Sequence, residues 1–308
     1  MSELDIGLVG DSAAVVTSCL WTISSIFFTT AGKRIGSLSV NAYRTVLAIG
    51  FLVVTHALLL GSLLPFATAG QWFWMGISGI VGLGIGDSGL FAAYVTIGPR
   101  RSLLVMALAP LFSALGAYLM LGETIPAPGI VGIGITLAGV MIVILESEER
   151  SGEAPISNTN RVYGLFFAVV AAIGQGVGLV LSKKGIDLYP NVILNPVSAT
   201  LMRLLFGGLF IWVLALAWGR KVELSSALRN KSGLSNTLAG AIVGPFLGIT
   251  FSMVAVTFTQ AGVAQTLMSL MPVLIIPLLW VLYRQRTSRR GIIGAMVAVV
   301  GVAIIFLT

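Results

Sequence analysis

Ten stretches of about 20 residues, each apolar nearly throughout, follow one another along this 308-residue chain with only short breaks between them. They run over 12–32, 39–60, 72–96, 102–121, 127–145, 162–182, 195–218, 237–258, 263–283 and 289–307. A helix of that length rises about 30 Å, the thickness of the hydrocarbon core of a bilayer. The runs are too long and too evenly apolar for the alternating strands of a membrane barrel. Composition closes the other exit. Only 9% of residues are charged, against roughly 25% in a soluble domain, so lipid rather than water must cover most of the surface. The expected class is an all-α membrane protein with ten transmembrane helices. The first run is not read as a cleavable signal, because Glu3, Asp5 and Asp11 precede it in place of a basic segment. The single cysteine, Cys19, lies inside an apolar run and excludes a disulfide framework.

A net charge of +7 raises the question of nucleic acid. The cations form no patch of that kind; they sit in the short connections, where they report orientation. Lys33, Arg34, Arg100, Arg101, Arg150, Arg161, Arg220, Lys221, Arg229, Lys231, Arg284, Arg286, Arg289 and Arg290 fall on one side, and Lys183 and Lys184 on the other. The first group is expected in the cytoplasm and both termini outside. Trp72 and Trp74 read as interface anchors at the start of the third span.

The chain also repeats itself. Residues 78–145 align without a gap on 240–307. Ser78/Gly240, Gly82/Gly244, Gly86/Gly248, Met106/Met268, Leu108/Leu270, Pro110/Pro272, Gly129/Gly291, Gly132/Gly294, Gly139/Gly301 and Leu145/Leu307 hold one register. Upstream the match is looser, with Lys33-Arg34 resembling Lys183-Lys184 and Arg44 resembling Arg203. The expected organisation is therefore a five-helix unit over 12–145, a polar linker over 146–161, and a second unit over 162–307. An odd number of spans per unit inverts one copy relative to the other. Inverted repeats are characteristic of secondary transporters, whose sites lie between the halves.

The stretch "LAPLFSALGAYLMLGET" (108–124) and the closing "GIVGIGITLAGVMIVIL" (129–145) resemble the EamA-type transporters of the drug/metabolite transporter superfamily. So do "LMPVLIIPLLWVLYRQR" (270–286) and "GIIGAMVAVVGVAIIFL" (291–307). The resemblance covers nearly the whole chain and implies a carrier in the cell membrane, without naming its cargo. Two departures stand out. Gly122-Glu123 follows the fourth span, whereas the second half has Arg284-Gln285 there. The resemblance also implies termini inside, against the charge count, which is followed here.

Asp87 is the one acidic residue deep inside a span. A charge there costs roughly 2.5–3.5 kcal/mol on insertion scales, so it should face protein or water. Two readings stay open: a proton-coupling or amine-binding carboxylate on a cavity wall, or a structural carboxylate lodged against helix glycines. Gly84-x-Gly86-x-x-Gly89 around it mimics a dinucleotide fingerprint, but no strand precedes it. Gly82 and Gly86, repeated as Gly244 and Gly248, suit close helix packing instead.

Trp21, Ser24, Ser25 and Phe28 share one face of the first span and fit either a substrate-cavity wall or helix packing. Gln175 falls opposite Ser25 in the looser repeat alignment. Phe91 and Tyr94 share the face of Asp87, and Met106 shares one with Pro110. Gln265, Met268, Ser269 and Pro272 align in the ninth span. Pro110 and Pro272 are hinge or packing candidates. Arg44 and Arg203 lie one to two turns inside their spans, near opposite faces. Snorkelling to the interface is expected of both, the alternative being an anchor for an anionic group or a gate. His56 is expected to be satisfied by neighbours or to face the interface.

The reading that results is a secondary transporter for a small organic solute (an amino acid, related metabolite or drug-like compound), with Asp87 as candidate for proton coupling. A flippase or exchanger of a phosphorylated or lipid-linked compound is the alternative. An intramembrane lipid-modifying enzyme is the remote one, because no catalytic constellation or metal cluster is visible. No cofactor is expected. The expected partners are the substrate and membrane lipid, not nucleic acid; a homo-oligomer is left open.

Overall fold

The computed structural model describes residues 3–106, 108–150, 158–189, 194–271, 273–274, 278 and 289–306. Among them every regular element is helical. Helices α1 (Glu3–Ile35) and α2 (Ser37–Leu60) are followed by α3 (Ala69–Ser78), a π-helical segment π1 (Gly79–Gly86) and α4 (Asp87–Met106). Next come α5 (Ala109–Leu121) and α6 (Ala127–Arg150). The second half carries α7 (Asn158–Ile186), α8 (Pro196–Ala217), the short α9 (Lys221–Ala227), α10 (Lys231–Ala241), π2 (Ile242–Gly248), α11 (Ile249–Phe258), α12 (Ala261–Met268) and α13 (Arg289–Phe306).

Among the described residues six stretches are long and apolar enough to cross a membrane: Gly7–Ile35, Ser37–Leu60, Ala69–Ala93, Asn160–Ile186, Pro196–Ala217 and Lys231–Phe258. Ala109–Leu121 and Ala127–Ile142 are shorter apolar helices. The ninth expected span, 263–283, falls partly outside the described residues. Burial is arranged for lipid. Leu58, Phe66, Leu119, Phe166 and Leu209 are exposed, while Thr17, Ser39, Asn41, Gln71, Ser78 and Thr200 are buried. The chain is an integral, multi-pass membrane protein, because only a hydrocarbon surround makes that distribution favourable.

Local chemistry sets the helix ends. Between α1 and α2 stands a single residue, Gly36, at φ +81°, which a side chain would strain. Gly61 and Gly122 close α2 and α5 in the left-handed conformation. Thr68 and Gln71 form a reciprocal capping box at the start of α3. Asn195 and Asn230 accept the Val197 and Gly233 N–H groups at the starts of α8 and α10. Pro110 lies in the first turn of α5, where its missing N–H leaves no bond unmade.

The two halves interlock. Helix α1 packs chiefly on α10, π2 and α11 of the second half, whereas α7 packs on α3, π1 and α4 of the first. Helix α2 lies on α8, and α6 lies along α13. Small residues permit these approaches, because in lipid the tightest helix contacts come from missing side chains. A Cβ on Gly178 would lie 2.7 Å from the Gly82 Cα, and one on Gly174 would lie 2.8 Å from the Gly86 Cα. Gly139 abuts Gly294 and Ala298, and Gly301 abuts Gly132 and Thr136. The two π segments end at Gly86 and Gly248, at the register of the internal repeat. In π2, Pro245 withholds an N–H from the helical ladder, a common cause of such a bulge.

Candidate functional site

The π1 segment ends at Asp87, whose backbone N–H reaches back to the Gly82 and Gly84 carbonyls. Widened turns of this kind often mark functional positions. Here the turn delivers the Asp87 side chain inward, where it is 7% exposed. Oδ2 pairs with Nη2 of Arg44 on α2, and Oδ1 accepts a bond from Gln175 Nε2 on α7 at 2.6 Å. Gln175 also reaches the Gly82 carbonyl at 3.4 Å. Arg44 is held further: its Nε donates to Asn41 Oδ1 at 2.9 Å, and its guanidinium carbon lies 5.4 Å from the Phe28 ring centre and 5.0 Å from that of Phe91. Two aromatic faces and an amide thus share the guanidinium with the carboxylate.

A second cation joins this cluster. Arg203 enters from α8 and is 3% exposed. Its Nη2 rests against Gly82, where a Cβ would come within 3.1 Å, and the negative charge of Asp87 acts on it through space. Nη1 donates to the Met253 thioether at 3.5 Å, and Nε has no acceptor. Neither arginine snorkels. Both turn inward, toward the buried carboxylate of Asp87, and ion pairing outweighs the reach to an interface. Although Arg44 and Arg203 each sit near the N-terminal end of a different helix, both bear on Asp87.

The stripe on α1 takes a different part. Trp21, Ser24 and Phe28 fill the spaces left by Gly248, Gly244 and Gly240. The Ser24 and Ser25 hydroxyls donate to the Trp21 and Thr22 carbonyls of their own helix, at 3.0 and 2.7 Å. Only Phe28 of this stripe reaches the ion cluster. Ser25 and Gln175, equivalent in the repeat, therefore differ: one bonds its own helix and the other bonds Asp87. Met106 ends α4 and is partly buried. Gln265 is buried on α12, and the Ser269 hydroxyl donates to its carbonyl at 2.8 Å. Helix α12 packs on α5 and α1, so these residues belong to a separate region. Pro272 and the side chain of Tyr94 lie outside what the structure describes. His56 is buried, with Nδ1 2.6 Å from the Ser62 carbonyl and Nε2 2.9 Å from the Ser198 hydroxyl.

A second polar junction closes one end of the bundle. Lys183, at the end of α7, donates to the Val256 and Thr259 carbonyls at 2.8 and 2.9 Å, where α11 runs out of partners. It lies 3.5 Å from Glu123 and 3.8 Å from Asp187. Glu123 in turn accepts the Ala261 N–H at 2.9 Å, at the start of α12. Burial pushes the Glu123 carboxyl above its usual range against the pull of Lys183, and does the same to Asp187. The counterpart of this junction in the second half, Arg284-Gln285, lies outside the described residues.

An apolar exterior, an interlocked pair of helical halves and charge buried between them define a multi-pass membrane transporter. The EamA-like transporter family matches residues 8–145 and 162–307, and the chain belongs to that family. An uncharacterized transporter of Clostridium kluyveri is 25% identical over 231 residues, spanning 74% of this chain and 70% of its own. A solved crystal structure shares the fold, with a TM-score of 0.76 over 98% of this chain and 96% of its own, at 20% identity.

Proposed function

We propose that this protein is a secondary transporter that moves a small organic solute across the cell membrane by alternating access between two inverted five-helix halves. Ten spans would place the basic connections in the cytoplasm and both termini outside. The observation that carries this reading is the Arg44–Asp87–Gln175 bond set. Arg44 and Asp87 belong to the first half and Gln175 to the second. One buried carboxylate therefore joins the halves at their centre, and anything that neutralises or competes for it loosens that tie. Protons would act there, which makes Asp87 the coupling residue.

The test is flux in proteoliposomes across a panel of amino acids, nucleosides and phosphorylated metabolites, with and without a pH gradient. Uptake of at least one solute that follows the gradient, and loss of that response in Asp87→Asn, is the expected outcome. An unchanged response in Asp87→Asn removes the coupling role. Transport of lipid-linked compounds alone would favour a flippase.

A further inference from the structure

Counting charge in the buried cluster leaves a remainder. Among the described residues it holds two guanidinium groups, Arg44 and Arg203, and one carboxylate, Asp87. Arginine keeps its proton in proteins, so the surplus cannot be shed by titration. A lone cation inside a bundle surrounded by hydrocarbon is expensive unless something negative meets it.

The two arginines are not equally provided for. Arg44 has Asp87, the Asn41 amide oxygen and two aromatic faces. Arg203 has a thioether on Nη1, a weak acceptor, and nothing on Nε, although it is the more deeply buried of the two. Nε and Nη2 form the edge of a guanidinium that grips a carboxylate through two parallel bonds. On this side chain Nη2 lies against Gly82, the glycine that also faces Gly178, and Nε is buried without a partner. A carboxylate brought to that edge would meet a buried Nε that has no acceptor of its own, within the field of Asp87.

We infer that Arg203 is the binding group for a carboxylate on the transported solute. The inference rests on the carrier reading above and adds the substrate class. One surplus positive charge calls for one negative charge. A carboxylate group meets the surplus guanidinium charge for charge, whereas a phosphate dianion would overshoot it.

Purified full-length protein is melted in detergent with each of the 20 common amino acids, their carboxamides and their decarboxylated amines. In parallel it is melted with the matching 2-oxo acids and with inorganic phosphate. A bound ligand raises the melting temperature by mass action. At least one amino or oxo acid should stabilise the wild type, and its carboxamide should bind about 10- to 100-fold more weakly, as expected when a charged hydrogen-bonded pair is broken. Arg203→Gln should abolish that discrimination, weakening the acid and leaving the amide within about 3-fold, while Arg203→Lys retains part of it. If Arg203→Gln does not fold, the comparison of wild type with Arg203→Lys decides: equal affinity of the two for the acid overturns the assignment. Equal binding of acid and amide, response to phosphate alone, or no response to any carboxylate also overturns it. Flux of a neutral or cationic solute that Arg203 variants leave intact would sink the carboxylate assignment and leave the carrier reading standing.

Discussion

Replacing Asp87 by asparagine keeps the shape and nearly the volume of the side chain but removes the charge that faces Arg44. Both partners are about one-tenth exposed at the side chain, so water can do little to compensate. Breaking a buried ion pair from one side costs about 3–5 kcal/mol, mostly because the surviving charge is left unpaired. Here the surviving guanidinium keeps Asn41 and the faces of Phe28 and Phe91, which puts the cost near the lower bound, about 3 kcal/mol. At the roughly 2 °C per kcal/mol expected of a chain at the large end of the scale, the melting temperature should fall by about 6 °C. The companion change tests the cause. Arg44→Met in the Asp87→Asn background removes the directly paired guanidinium, leaving Arg203, and fills its space with an apolar chain, so it should recover part of the loss. The assay is thermal unfolding of the wild type, both single variants and the double variant in one detergent. Asp87→Asn melting like the wild type, or a double variant whose loss equals the sum of the two single losses, refutes the claim that this pair is energetically coupled.

Three further expectations follow from separate parts of the fold. Gly178→Ala sets a Cβ against the Gly82 backbone, which cannot yield as a side chain can, and should destabilise by about 1–3 kcal/mol. Gly134→Ala meets open space within a helix and should be neutral or stabilising by up to about 1 kcal/mol; a melt of the two side by side checks both. Because burial raises the Glu123 carboxyl, the folded state holds that proton more tightly than the unfolded chain. The resulting stabilisation is full below the ordinary glutamate range and is lost as pH rises through the raised value. Melting curves over that range should slope downward with pH in the wild type and more shallowly in Glu123→Gln. A tag on the C-terminus should be accessible to an impermeant reagent on intact cells, and a tag reached only after permeabilisation would reverse the charge-count orientation.

Much of this architecture is legible because hydrocarbon is a simple solvent. Long apolar runs have one compact solution in it, and a glycine row repeated at fixed distance marks where two helices can meet. Asp87 is likewise conspicuous, since a lone acid in a span must find a partner. That partner could have been read from the same line of reasoning. Arg44 and Arg203 are the cations well inside the expected spans, and one acid with two bases is a pairing problem before it is a snorkelling problem. Judging each arginine by its distance from its own helix end hides this, because that distance says nothing of what a neighbouring helix presents. The stripe of Trp21, Ser24 and Phe28 shows the opposite limit. A polar-aromatic face looks the same on paper whether it lines a chamber or rests on glycines, and only the facing helix tells which. The π segments are less visible again. Pro245 hints at one, while π1 has no proline and arises where glycines let α7 and α8 come close.

The exchange of α1 and α7 between the halves bears on how such a chain can be cut. Neither half holds its own first helix in the place where that helix packs most; each lends it to the other. A translation product stopping between α6 and α7 would leave the glycine face of π1 bare and α1 without a seat. Such a product should survive only when supplied with a second chain that returns the favour, much as the two subunits of an obligate dimer do.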